Sequence, residues 1–394
     1  MGTDYDPFSA GTLADPGAAY AGLLADCPVH RFDGFQPGFY SLSRYDDVAA
    51  ALRDASGYSS HFGQGPHKRA PGGMQSDPPQ HTVFRHIVQR AFTPKAVAAM
   101  EPRIRTLADD LIDVFADRGR AELHDELASP LPTITIAQMM GVPPEDHARF
   151  KAWSDIQVAV MGLPDPDAFP EERAALRGYL TDHLVDRERR LERGEALPEG
   201  LISSLAEANA ERRHLTHADM VSLLVQLLVG GNETTTSLIT NVVVRLAERP
   251  GLWERLRADP GLVEVAVEES LRYDSPVLGL FRTTTRPVTL HGVEIAPDEK
   301  VMLLYGAANR DPAAWEDPAE FSLERDVQDL RRRHLAFGLG IHLCLGAALA
   351  RLEATIALEA LTRRLPALRL DGEPERIRPF LLWGKQRLPV AWDS

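Results

Sequence analysis

Between Thr216 and Glu248 the apolar residues recur at helical spacing. Met220, Leu223, Leu224, Leu227 and Leu228 form one stripe, and Val221, Val225 and Val229 form another. A helix apolar nearly all round belongs at the centre of a protein. Thr216-His217-Ala218-Asp219 reads as a capping box at its start, and Glu248-Arg249-Pro250-Gly251 as its stop. The roughly 33 residues between them would span roughly 50 Å. Gly230-Gly231 and Thr234-Thr235-Thr236 interrupt the pattern, and such residues cost up to about 1 kcal/mol each in a helix relative to Ala. The Thr234 hydroxyl is within reach of the Gly230 carbonyl one turn back, which predicts a local opening.

The same period predicts a helix over about 345–364, ended by Pro366. Another starts with Asp259 as N-cap and Pro260 at its first turn and runs to Arg272, before Asp274-Ser275-Pro276. A third starts at Pro78-Pro79. Strand-like runs are short and come late. The chain therefore reads as mainly α with small β-sheets (α+β). Without a linker, charge block or internal repeat, residues 1–394 read as a single domain.

Composition narrows the partners. The formal net charge is −14 over 394 residues, which argues against nucleic acid. Two cysteines rule out a disulfide framework, and Cys27, between Asp26 and Pro28, reads as structural. Met1-Gly2-Thr3-Asp4-Tyr5-Asp6 has neither a basic nor an apolar targeting segment. No run reaches the roughly 18 apolar residues of a membrane span. A cytoplasmic monomer without membrane contact is expected.

The second cysteine lies in Phe337-Gly338-Leu339-Gly340-Ile341-His342-Leu343-Cys344-Leu345-Gly346. A helix begins just after it, and N–H groups at a helix start lower the pKa of a thiol placed there. Glycines let the chain turn sharply and let a flat ligand lie against the backbone. With no second cysteine nearby to build a zinc or iron–sulfur cage, the axial ligand of a haem is the chemistry that fits. This run resembles the haem-binding signature of the cytochrome P450 family, the haem-thiolate monooxygenases.

Three further segments resemble that family in order and spacing, over about residues 75–350. The resemblance implies that haem b (iron protoporphyrin IX) is bound with Cys344 on the iron. Phe337, Gly346 and Gly230 would pack on the cofactor, and His81, Arg85, Arg282 and His342 would hold its propionates. His81 and Arg85 are four apart on one helical face. Glu269 and Arg272 form an i,i+3 pair that Arg325, in a segment resembling the family's meander, would complete as a buried network. Asn232-Glu233-Thr234 also spells a glycosylation acceptor, but a buried helix discounts it. In the family's terms Gly230 and Gly231 widen the groove over the haem, Glu233 relays protons, and Thr234 holds water and oxygen.

The activity so implied inserts one atom of O2 into a largely hydrophobic small molecule, by hydroxylation, epoxidation or O-dealkylation. Electrons would come from NAD(P)H through a ferredoxin and its reductase. Arg331-Arg332-Arg333, just before the cysteine run, is the expected docking patch for an acidic ferredoxin. An H2O2-driven peroxygenase is the alternative, and a haem-based sensor or carrier a remote one. By family position the substrate pocket would draw on Phe62, Val229, Val277, Leu278, Leu280, Phe380, Leu381 and Leu382. A terpenoid, steroid, fatty acid or polyketide would suit these side chains. His67, Lys68 and Arg69 read as solvent-facing charges.

Overall fold

The computed structural model describes residues 5–70, 72–161, 167–210 and 215–393. The Met1–Asp4 part of the terminus read for targeting lies outside them. Among the described residues no helix is long and apolar enough to cross a membrane.

The central helix is His217–Ala247, capped by Thr216 with the reciprocal Asp219 bond. Leu238, Ile239, Val242, Val243, Val244 and Leu246 are all buried, so it runs through the largest core cluster. Helix Pro130–Met140 and helix Ala347–Arg364 pack against it. The expected opening at the Gly-Thr segment does not occur: helical geometry is unbroken from His217 to Ala247. The Thr234 hydroxyl does donate to the Gly230 carbonyl, at 2.7 Å. Packing on several sides outweighs the weak local propensity. Asn232 is 2% exposed. Its Oδ1 accepts from Thr133 and its Nδ2 donates to Ser154, both at 2.7 Å, so it is a tie between helices.

Strands are not confined to the late chain. One five-stranded sheet runs Val29–Phe32, Phe39–Leu42, Lys300–Leu303, Leu280–Thr284, Tyr58–Ser59. The second and third strands are parallel, with Tyr40 opposite Val301, and the rest are antiparallel. Its early strands are four residues or fewer, too short to show an alternating pattern. Val29–Phe32 pairs with Phe39–Leu42 alone, whereas Phe39–Leu42 and Tyr58–Ser59 are completed from far along the chain by Lys300–Leu303 and Leu280–Thr284.

The helix expected from Asp259 starts later, as Leu262–Tyr273, with Gly261 at its N-cap. The Asp259 carboxylate accepts from the Gly261 N–H at 3.0 Å, making a turn before the helix. Within it Glu269 and Arg272 are both fully buried and doubly bonded, at 2.7 and 2.8 Å. Arg325 Nε reaches the same carboxylate at 3.1 Å. Arg272 also donates to the carbonyls of Asn309, Pro318 and Glu320, and Arg325 to those of Glu316 and Asp317. Three charged side chains thereby hold an irregular loop against a helix.

Removing one member leaves the others buried and uncompensated. Glu269→Ala should lose on the order of 3–5 kcal/mol, read as a fall in the urea midpoint. Removing the exposed Arg286–Asp54 pair should change it by less than about 1 kcal/mol. Equal effects from the two would contradict this account.

Candidate active site

The cysteine run folds as a tight loop. Gly338 and Gly340 have φ of 68° and 73°, which L side chains rarely adopt. Gly340 also lies so close to helix Tyr45–Arg53 that a Cβ would fall 2.5 Å from the Leu52 carbonyl oxygen. The Cys344 N–H donates to the Phe337 carbonyl at 2.9 Å and closes the loop. Helix Ala347–Arg364 follows, with Gly346 as N-cap.

Cys344 opens onto a cavity of about 1100 Å³. Gly230, Glu233, Thr234, Arg85, Arg282, Phe337, His342 and Gly346 line the same cavity. At Gly230 a Cβ would meet no atom within 4 Å, whereas at Gly231 it would touch Ile136 at 3.4 Å. Both glycines line the cavity; Gly230 leaves open space there, and Gly231 also lies against Ile136 of helix Pro130–Met140. Arg85 donates to the Leu343 carbonyl at 2.9 Å, bracing the cysteine loop. Arg282 is 4% exposed, donates to the Phe281 carbonyl at 2.9 Å and is hydrogen-bonded to Tyr305. His81 does not line the cavity; its ring lies 4.2 Å from that of His342.

The thiol departs from expectation. Burial raises the Cys344 pKa, and the N–H groups of Gly346 and Ala347 with Arg85 and Arg351 oppose it without prevailing. A helix start facing a largely apolar cavity is a weaker acidifier than one in open water. A coordinated cation is what would reverse the balance. Burial, with Arg282, His81 and Arg85 nearby, lowers His342 to about 3, so it is a neutral hydrogen-bond partner.

The residues fit a haem. A sulfur and a glycine with open space beside it face one cavity. The buried Nε2 atoms of His81 and His342 have no partner, and Arg85 and Arg282 lie beside them as cations. Orphaned buried polar atoms next to cations are what an anionic group would satisfy.

Two buried carboxyls face the cavity. Burial raises Glu233 to about 7, against a bond from Ser237 to its Oε1 at 3.3 Å. Sequence reasoning missed Glu353, which burial raises to about 8 despite bonds from Thr135 and Thr235. The signal was available: Glu353 shares a helix face with the buried Leu349, Ile356 and Ala360.

Among the pocket residues, Val229, Val277, Leu280, Phe380, Leu381 and Leu382 line the cavity, but Phe62 and Leu278 do not. The Phe62 carbonyl accepts from Lys300, leaving its ring 37% exposed and edge-on to His61. Leu278 is buried away from the cavity, its N–H bonded to the Leu381 carbonyl. Of the three basic residues after Pro66, Lys68 and Arg69 are exposed as expected and pair with Asp298 and Asp167, while the half-buried His67 lies tilted against Phe35.

The arginine run is not a free cationic patch. Arg331 turns inward to Glu268 and Glu264, at 3.2 and 3.4 Å, and Arg333 pairs with Asp329 at 2.8 Å. Arg332 alone of the three stays largely exposed, at 73%. Glu268 is the reason. Burial would raise it, but bonds from His334 and Arg351 hold it at about 2.

Comparison with known proteins gives a coherent result. The family model described as Cytochrome P450 matches residues 28–376. The chain is 38% identical over 369 residues to erythromycin C-12 hydroxylase of Saccharopolyspora erythraea, covering 91% of this chain and 90% of that one. It is 36% identical over 395 residues to the cytochrome P450 monooxygenase PikC of Streptomyces venezuelae, covering 96% and 91%. Among solved structures, CYP109E1 of Bacillus megaterium in complex with testosterone superposes with a TM-score of 0.87 at 32% identity, over 98% of this chain and 100% of that one.

Glu233 and Glu353 make a pH prediction. The folded protein keeps protons on them that the unfolded chain releases near the ordinary value of 4.5. Stability should therefore fall as pH rises from there through about 7 and about 8. Replacing both with Gln should flatten that fall, raising the thermal midpoint at alkaline pH and leaving it near wild type at pH of about 5. An unchanged slope in the double variant would mean the carboxyls are not held neutral.

Proposed function

The chain belongs to the cytochrome P450 family of haem b monooxygenases, and we propose that Cys344 is its iron ligand and Thr234 and Glu233 its proton-handling pair. The observation that carries this is that Cys344, Glu233 and Thr234 line one and the same cavity. Haem, when bound, supplies the reductive activation of O2 and the transfer of one oxygen atom to the substrate.

The protein's part is binding, exclusion of water and timed protons. Arg85, Arg282, His81 and His342 would hold the propionates, and Phe337 and Gly346 would lie against the ring. Glu233, with a pKa of about 7, is suited to exchange protons near neutral pH. The Thr234 hydroxyl, bonded to the Gly230 carbonyl, has lone pairs left to accept a hydrogen bond from water. Glu353 and Thr235 offer a second protonated group beside the same cavity.

Val229, Val277, Leu280, Phe380 and Leu381 support an apolar substrate. Gln157, Gln226, His67, Arg69 and Arg378 are polar wall groups of the same cavity; the apolar lining favours a largely hydrophobic molecule of steroid or polyketide size, and hydroxylation is the reaction of choice. Two electrons would arrive from a ferredoxin fed by an NAD(P)H-dependent reductase. Its docking would rely on Arg332 and neighbours rather than on the whole arginine run.

Two experiments test this reading. The reduced carbon monoxide complex should show the red-shifted Soret band of thiolate ligation. Cys344→His should move it to the imidazole position and abolish turnover, while Cys27→Ala leaves it in place; the reverse result would assign the wrong cysteine. Thr234→Ala should keep haem content and substrate-induced spectral shifts. It should still consume NAD(P)H, but with the two electrons and two protons leaving as H2O2 rather than driving oxygen insertion, so that H2O2 rises and product falls by about tenfold. Full activity of both wild type and Thr234→Ala with peroxide alone would favour the peroxygenase reading instead.

A further inference from the structure

Two cations near the cavity have no use in the chemistry above. Lys300 is 1% exposed on a strand whose next three residues, Val301, Met302 and Leu303, are buried apolar side chains. Its Nζ donates to the carbonyls of Phe62 and Gly63, at 2.8 and 3.0 Å. Arg376 gathers four carbonyls. One guanidinium nitrogen donates to Ile377 at 2.6 Å and Arg378 at 3.4 Å, the other to Pro379 at 2.8 Å and Leu382 at 2.9 Å. Among the described residues no carboxylate forms an ion pair with either; Asp298, nearest to Lys300 in charge, is paired with Lys68.

Lys300 is buried and Arg376 half-buried, and a cation withdrawn from water without an acid is unfavourable. Burial lowers Lys300 to about 8, with Lys68 and Arg282 adding to the effect, and lowers Arg376 to about 10. An apolar residue would be the default at position 300, given its neighbours. The carbonyl dipoles are the compensation, and they belong to two irregular segments. Gly63, Gln64 and Gly65 line the cavity on one, and Arg378, Phe380, Leu381 and Leu382 on the other. Neither segment is a regular element, although Phe281 N–H bonds the Gln64 carbonyl and Trp383 N–H the Pro276 carbonyl. Holding a loop through its carbonyls leaves its side chains free to face a ligand.

We propose that Lys300 and Arg376 are positioning residues that set the shape of the substrate chamber, and thereby which ligands it accepts, by clamping segments 62–65 and 377–382. The inference rests on the cavity being that chamber. Gln226 makes a third fastening, accepting from the Met74 N–H at 2.9 Å and donating to the Gly72 carbonyl at 3.1 Å. It lines the cavity itself, so it is left out of the test.

The experiment compares haem-loaded wild type, Lys300→Met and Arg376→Met by hydrogen exchange and by titration with imidazole and 4-phenylimidazole, read from the Soret shift. Lys300→Gln, which keeps an N–H donor, and Arg376→Lys are the second variants if the first do not fold. Lys300→Met should speed exchange about fivefold or more in peptides covering 60–66, and not in those covering 377–383; Arg376→Met should do the reverse. Each should change the ratio of the two dissociation constants by about threefold or more, with haem content and the reduced carbon monoxide spectrum unchanged. Exchange that is unchanged, or raised equally everywhere, overturns the clamps. Local loosening with an unchanged ratio overturns their control of ligand choice. A wild type that responds to neither ligand counts against the chamber itself, and exchange alone then decides the clamps.

Discussion

Everything at the site depends on one sulfur being held at the wall of a largely apolar cavity. A buried thiol prefers to keep its proton, and here burial outweighs two backbone N–H groups and two arginines. The surroundings are thus set for a cation at the sulfur rather than for a free thiolate. The loop that carries Cys344 can take its shape only with glycine at 338 and 340, one for conformation and the other also for its contact with Leu52. Arg85 braces the loop from a helix some 250 residues earlier in the chain, through the Leu343 carbonyl. Arg351 stacks over Phe337 at 4.5 Å and is fixed by Glu268.

The polar groups around the cavity follow one logic. Where a cation meets a carboxylate, as in Glu269 with Arg272 and Arg325, the result is a rigid joint between a helix and a loop. Where a carboxyl has no cation bonded to it, burial raises its pKa towards neutral pH, to about 7 for Glu233 and about 8 for Glu353. Where a cation has no carboxylate, as in Lys300 and Arg376, it orders main-chain carbonyls. The orphaned histidine nitrogens beside Arg85 and Arg282 complete the set: they are unsatisfied only so long as no anion lies between them. Low dielectric makes each arrangement consequential, because an unmatched group there is costly.

Much of this was legible in the residues alone. The central helix announced itself by two apolar stripes and a capping box, because burial on all sides leaves few polar positions. The cysteine loop was legible because its backbone shape tolerates only glycine at fixed places. His81, Arg85, Arg282 and His342 were found by resemblance, and the structure brings them together. Glu269, Arg272 and Arg325 also meet as a resemblance to the meander suggested. The start of helix Leu262–Tyr273 was misjudged because an aspartate before proline serves a turn as readily as a helix cap.

What only the tertiary structure decided was which way equivalent-looking side chains turn. Three consecutive arginines read as one patch, yet Glu268, on another helix, draws Arg331 inward and leaves Arg332 exposed. Phe62 read as a pocket residue, yet Lys300 takes its carbonyl and the ring ends at the surface. Two of the short early strands, Phe39–Leu42 and Tyr58–Ser59, are completed by partners more than 200 residues further along the chain. Sequence pointed to the long helices, the cysteine loop and the class of chemistry, since these depend on local periodicity and on residues with few substitutes. Orientation, pairing and protonation depend on groups distant in the chain, and those are set only when the whole cavity closes.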